Sequence, residues 1–339
     1  MKVAVTGATG HVGNNLVREL LARGRTVRVL IHEQSPPPRS LLGLDVERVY
    51  ADVRDLEALR AGFSGVSVVY HLAAQISIEP RTDGVLDAIN VRGTQNVLRA
   101  AHECGVRRLV HMSSVHALSA LPEDEPIDET RPLVASLVGD GGDIGRGHGA
   151  LPYDRSKADG EREVQRAVER GLDAVVVSPA AVIGRHDYGP SLQGAGLLAM
   201  LRNRVPAAIA GAYNWVDVRD VVSGAIAAEE RGRTGERYLL SGHVCTLREL
   251  AAHLAAQRGG RPPLVTLPRA LLWLALPFVS LVARLGGKRP LYTRNALQIL
   301  GSNCDFRCDK ARRELGFTPR PLPETIADTV AFYREVGYL

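Results

Sequence analysis

Cysteine is scarce in this 339-residue chain, with four residues at Cys104, Cys245, Cys304 and Cys308. The last two make a C-x-x-x-C pair, but no second pair completes a ligand set, so neither a metal site nor a disulfide is expected. Charge of one sign is thin as well: the net charge is +5, without a Lys/Arg block or zinc-ligand spacing. Nucleic acid is therefore not an expected partner, and an Arg-rich composition that binds an anionic cofactor accounts for the mild basicity. Long apolar runs are missing too. The richest stretch, 264–285, carries Trp273 and Phe278 but is broken by Pro268, Arg269, Pro277 and Arg284. A membrane span needs about 20 uninterrupted apolar residues. That leaves a helix lying on a membrane surface or, the favoured reading, apolar helices capping a hydrophobic pocket. No leader is expected, because residues 1–7 already read as a strand entering a glycine turn. A reducing, cytoplasmic setting is the default.

What is present points to a soluble α/β protein. Hydrophobic residues make up 45% and charged residues 23%, ordinary proportions for a globular chain. Apolar runs at Lys2–Thr6, Thr26–Ile31, Glu47–Tyr50, 67–71, Arg108–Met112 and 173–178 read as strands. Helical periodicity fills the intervals at 12–22, 55–61, 85–104 and 153–170. Strands separated by helices imply βαβ units and a parallel, doubly wound sheet, whose ligands bind beyond the carboxyl ends of the strands.

The first strand–helix turn suggests the ligand. Gly7, Gly10 and Gly13 stand at G-x-x-G-x-x-G spacing, with Thr9, His11 and Val12 between them. Gly7 suits a tight turn, Gly10 a close approach to pyrophosphate, and Gly13 close packing of helix on strand. The helix N-terminus adds free N–H donors and a positive dipole end. Asp52, with Val53 after it, follows the third strand. It reads equally as an acceptor for an adenine amino group and as a loop or capping aspartate. Leu72, Ala73 and Ala74 end the fourth strand in mostly small residues that let backbone lie close to a cofactor.

Tyr153 and Lys157 are four apart on a helix and share a face. A phenol with pKa near 10 is a poor base at neutral pH. An ammonium about 4 Å away would favour phenolate by roughly 4 kcal/mol at an effective dielectric of about 20, close to three pKa units. The expectation is thus a phenol with a lowered pKa. Ser114 ends the preceding strand at the same crevice, and Asn90 sits inside a helix where its propensity is poor.

With these residues in this order, the chain resembles the extended short-chain dehydrogenase/reductases over nearly its whole length. The resemblance implies that Ser114 bonds the substrate oxygen, that Tyr153 is the acid/base, and that Lys157 holds the nicotinamide ribose. It implies that Asn90 supports Lys157, with Ser113 the lesser of the two serines and Pro179 beside the cofactor. It further implies strand order 3-2-1-4-5-6-7 and a homodimer through the helices of Asn90 and Tyr153. The dinucleotide domain would span 1–178 and 212–242, and the substrate region 179–211 and 243–339. The glycine-rich segment 133–151 reads as a lid or a surface insertion.

Ala181 stands where sugar-nucleotide enzymes of the family commonly carry Asn. The local pattern is closer to dihydroflavonol reductases and 3β-hydroxysteroid dehydrogenases, which suggests an apolar carbonyl or alcohol substrate. Ala181, His116, His186 and Tyr188 are candidate substrate residues, with His148 a further one. At the end of the second strand, Ile31 occupies the usual acidic position, and His32 and Arg39 follow. That tilts the cofactor toward NADP(H) over NAD(H), although Glu33 pulls the other way if the alignment slips. A nucleotide-sugar epimerase or dehydratase holding NAD, and a non-catalytic dinucleotide sensor, are the competing readings.

Overall fold

The structure, a computed structural model, describes residues 1–32, 39–77, 84–136, 150–205, 207–260 and 294–339, together with 262, 265–268, 270, 271 and 273. Glu33, His148, Phe278 and most of the segments 133–151 and 264–285 lie outside the described residues.

Strands β1 (Lys2–Thr6), β2 (Thr26–Ile31), β3 (Glu47–Tyr50), β4 (Val68–His71), β5 (Arg108–Met112) and β6 (Ala174–Pro179) come in turn from the first half of the chain. They are followed by β7 (Ala181–Ile183), β8 (Ala208–Ile209), β9 (Ala212–Asp217), β10 (Arg237–Leu240), β11 (His243–Thr246) and β12 (Thr266–Leu267). The large sheet is wholly parallel in the order β10-β6-β5-β4-β1-β2-β3. This is the expected 3-2-1-4-5-6-7 arrangement, with β10 as the seventh strand. Its order reverses between β1 and β4, which opens the ligand crevice at their carboxyl ends.

The helices are α1 (His11–Ala22), α2 (Leu56–Phe63), α3 (Gly93–Glu103), α4 (Pro152–Glu169), α5 (Leu192–Leu201), α6 (Val218–Arg231), α7 (Leu247–Gln257), α8 (Arg294–Ile299), α9 (Asp309–Leu315) and α10 (Leu322–Glu335). Strand residues alternate between two cores. Val3, Val5 and Val29 pack with Leu16 of α1 and Val221 of α6. Ala4, Val69 and Leu109 pack under Phe63 of α2, Val97 of α3 and Val164 of α4. A third core joins Trp215, Leu250 and Phe332 beneath the small sheet β11-β9-β7. Local signals close the helices: Asp55 caps α2 by accepting from Ala58 N, and Thr246 and Glu249 form a capping box on α7.

One element differs from its expectation. The single helix predicted over 85–104 begins as a π-helical turn, Asp87–Arg92, before α3. One additional residue per turn is tolerated there because Asn90 is anchored on both sides, as described below. No helix among the described residues is long and apolar enough to cross a membrane.

Candidate active site

The β1–α1 turn is built by close contacts. Gly7 has φ +69°, and a methyl group on it would lie 2.6 Å from Ala73 N, so the turn sits directly on the end of β4. A methyl on Gly13 would lie 2.1 Å from Gly7 O, which brings α1 down onto the turn. Gly10 differs: a methyl there would meet only Gly7 O, at 3.4 Å, and the residue is exposed. Gly10 is also the N-cap of α1 without a side-chain cap, and no acidic residue stands in the first turn. Open space over free helix N–H groups suits a pyrophosphate.

Thr6 locks the switch point. Its Oγ1 accepts from Leu72 N and Ala73 N, both at 3.2 Å, and bonds His71 Nδ1 at 2.8 Å. His71 Nε2 meets Thr94 Oγ1 at 3.0 Å, and that hydroxyl donates to Asn90 O at 2.7 Å. The hydroxyl proton of Thr94 is thus used, so His71 donates from Nε2 and accepts at Nδ1 from Thr6. Burial, with the Lys157 charge adding, holds His71 neutral by lowering its pKa to about 3.

Beyond the carboxyl ends of β2 and β3, Asp52 bonds Arg54 through both carboxylate oxygens and lies 2.8 Å from His32 Nε2. Chiefly because of Arg54, its pKa falls to about 2. Val53 is buried, and Arg39 is exposed in a 3-10 turn whose next residue, Ser40, donates to Thr9 O at 3.1 Å.

Beside the same crevice, α4 presents Tyr153 and Lys157. Ser114 is buried, caps a 3-10 turn by accepting from His116 N at 3.2 Å, and lies near enough to the Tyr153 phenol to favour its ionised form. Lys157 is buried and donates to Met112 O at 2.7 Å, and burial pulls its pKa down to about 8. The expected lowering of the Tyr153 pKa is not what the structure shows. Burial raises it, Asp154 adds to the rise, and only Ser114 opposes it. Helical spacing puts the two groups on one face, but the ammonium donates to a strand carbonyl and desolvation of the phenol dominates.

Asn90 also differs in detail from its expected role. Its Oδ1 accepts from Gln75 N at 2.8 Å, while Nδ2 donates to Gln75 O at 3.0 Å and Ser156 Oγ at 2.8 Å. It clamps the strand end after Ala74 to α4, and its bonds do not go to Lys157. Gln75 and Ser156 were not legible beforehand. Ser113 faces away, donating to Glu161 Oε2 at 3.0 Å, and Glu161 is itself ion-paired with Arg237. Ser114→Ala should therefore lower turnover by about 10²-fold or more through loss of a donor to the reacting oxygen. Ser113→Ala should lower the melting temperature instead, and parallel kinetics and melting of both variants separate the two roles.

A cavity of about 270 Å³ opens next to these groups. Its wall includes Val115 and His116 after Ser114, Leu151 and Arg155 around Tyr153, and Ile299 and Phe306 from the carboxyl-terminal region. His116 lines this cavity, whereas His186 and Tyr188 do not. His186, at φ +61°, bonds Asn15 Oδ1 at 3.0 Å, and its carbonyl accepts from Asn14 Nδ2. Tyr188 packs on Phe332 and lies under Arg18. Both residues seal α1 against α10, because the paired amides of Asn14 and Asn15 draw the 185–186 backbone onto α1. Ala181 pairs with Trp215 in the small sheet, against the third core, and Pro179 ends β6 in register with Leu240. Among the described residues no cluster could hold a metal ion.

A parallel sheet whose switch point carries an open glycine cradle, with a half-buried phenol and a buried serine beside it, defines an NAD(P)-dependent oxidoreductase of the extended short-chain dehydrogenase/reductase type. The NAD dependent epimerase/dehydratase family matches residues 3–241, and the chain belongs to that family. It is 38% identical to sterol demethylase protein B of Methylococcus capsulatus, with 100% of both chains covered. It is 29% identical to the 4-hydroxy-2-methyl-3-oxo-4-farnesyl-3,4-dihydroquinoline-1-oxide ketoreductase of Stigmatella aurantiaca, covering 94% of this chain and 92% of that one. Among solved structures, gox2253 superposes with a TM-score of 0.82 at 31% identity over 99% of each chain.

Proposed function

We propose that this enzyme reduces a ketone, or oxidises the matching secondary alcohol, on a lipophilic small molecule. The observation that carries the reading is the Ser114–Tyr153 pair set beside a cavity whose wall joins Val115, Leu151, Ile299 and Phe306 to a polar side with Glu123, Arg155 and Asn303. Relatives named for a sterol and for a farnesylated quinoline support the lipophilic assignment.

The glycine turn would hold the pyrophosphate, with Leu72, Ala73 and Ala74 under the nicotinamide half and Lys157 at its ribose. A bound nicotinamide would supply the hydride. The substrate oxygen takes a hydrogen bond from Ser114 and a proton from the Tyr153 hydroxyl, which burial keeps protonated at neutral pH. The protonated phenol is the form that the reductive direction needs. The Gln75–Asn90–Ser156 clamp fixes α4 against the cofactor side of the crevice.

NADP(H) is the proposed cofactor. His32 and Arg54 flank Asp52 and offset its charge, and Ile31 carries no carboxylate to repel a 2′-phosphate. Native mass spectrometry of the purified protein tests both points. An empty site that takes up NADPH reversibly, followed by NADPH oxidation with apolar ketones, is expected. NAD retained at near-full occupancy would overturn the reading in favour of an epimerase-type cycle that recycles its own cofactor.

A further inference from the structure

His111, on β5, is 2% exposed, and neither of its ring nitrogens has a hydrogen-bond partner. Unpaired buried polar groups are costly enough that each calls for a reason. His71, its register partner on β4, has a ring centroid 5.3 Å away but both nitrogens committed, to Thr6 and Thr94. His111 alternates with Leu109, so it faces the same core as α3 and α4. Lys157 reaches down from α4 to the carbonyl of Met112, the residue after His111. An ammonium has three donors, and Met112 O takes one.

We propose that His111 is a positioning residue for Lys157, supplying through one bound water the lone pair that keeps the buried ammonium charged and aimed at the cofactor. This rests on the reading of Lys157 as the group that grips the cofactor ribose. The other groups near the ammonium do not fill this role. Glu161, one turn on in α4, favours the charged ammonium through its own charge but has its oxygens on Arg237 of β10 and on Ser113, so it offers no lone pair to it. Tyr153 is uncharged, Asp154 bonds Leu151 N at the start of α4, and His71 is a committed neutral ring. A hydrogen bond to the charged form favours that form.

The experiment measures dinucleotide Kd and kcat/KM against pH for the wild type, His111→Leu, His111→Gln and Lys157→Met. The wild type should lose affinity as pH rises past about 8, where Lys157 gives up its proton. In His111→Leu this limb should move down by about one pH unit, with affinity near about pH 6 little changed. His111→Gln, which keeps an acceptor, should restore the limb. The melting temperature of His111→Leu should fall less above about pH 8, where Lys157 is neutral, than near about pH 6, where the ammonium has lost an acceptor. An unmoved limb with a lower melting temperature makes His111 a packing residue and overturns the proposal. If Lys157→Met keeps both affinity and the limb, the reading of Lys157 fails instead. Should His111→Leu not fold, the ¹⁵N shifts of the His111 ring are compared between wild type and Lys157→Met. A change supports the coupling, and identical shifts overturn it.

Discussion

Tyr153→Phe is expected to reduce turnover to background while leaving dinucleotide affinity nearly intact. The substitution keeps the ring and its packing and removes one hydroxyl, the group beside Ser114. General acid catalysis alone contributes about 10²–10⁴-fold. The glycine turn proposed for the pyrophosphate lies on β1 and α1, and Lys157 is unchanged by the substitution, so Kd by calorimetry should change little. Burial raises the phenol pKa, so the protonated donor is present throughout the neutral range. Reduction by the wild type should not fall through loss of the phenol proton there. An equal loss of affinity and turnover in Tyr153→Phe would mean that the phenol binds the cofactor rather than serving the chemistry.

Gly13→Ala and Gly10→Ala should part in opposite ways. At Gly13 the new methyl meets Gly7 O at 2.1 Å and Ala8 Cα at 2.8 Å. These are backbone atoms, so no side chain can swing aside and the turn itself must open. Overpacking of this kind costs about 3 kcal/mol or more, a melting drop of roughly 5–10 °C in a chain of this size, and affinity falls with it. At Gly10 the methyl meets only Gly7 O, at 3.4 Å, so the melting temperature should stay close to wild type. The methyl instead occupies the space over the helix N-terminus, and dinucleotide affinity should drop by itself. Thermal melts beside Kd values decide the matter, and a Gly10→Ala protein that binds normally would move the pyrophosphate away from this turn.

Features encoded within a few residues were legible before any coordinates. The glycine spacing, the i,i+4 relation of Tyr153 and Lys157, and the strand–helix alternation are local, and each falls where its period places it. Side-chain direction over long separations was not legible. His186 and Tyr188 looked like pocket residues because they follow β7, yet contacts to α1 some 170 residues earlier set their orientation. The signal that could have revealed this was the Asn14–Asn15 pair, two poor helix formers inside an otherwise apolar helix. Lys157 illustrates a different limit. Spacing gave its face, but whether its charge acts on the phenol or on a strand carbonyl depends on burial, which periodicity does not report.

The π turn at Asp87–Arg92 carries its own consequence for how this chain can vary. An α-helix advances about 100° per residue, so one residue lost from that turn would rotate everything before it by nearly a third of a revolution. Asn90 would then face away from either Gln75 or Ser156, and the strand end and α4 could no longer be stitched by a single amide. Substitutions along the exposed side of this turn disturb little, whereas a change in its length breaks the phase between two walls of the crevice. For this segment the residue count is a stricter constraint than residue identity, and an insertion or deletion is the lesion to which the site is most sensitive.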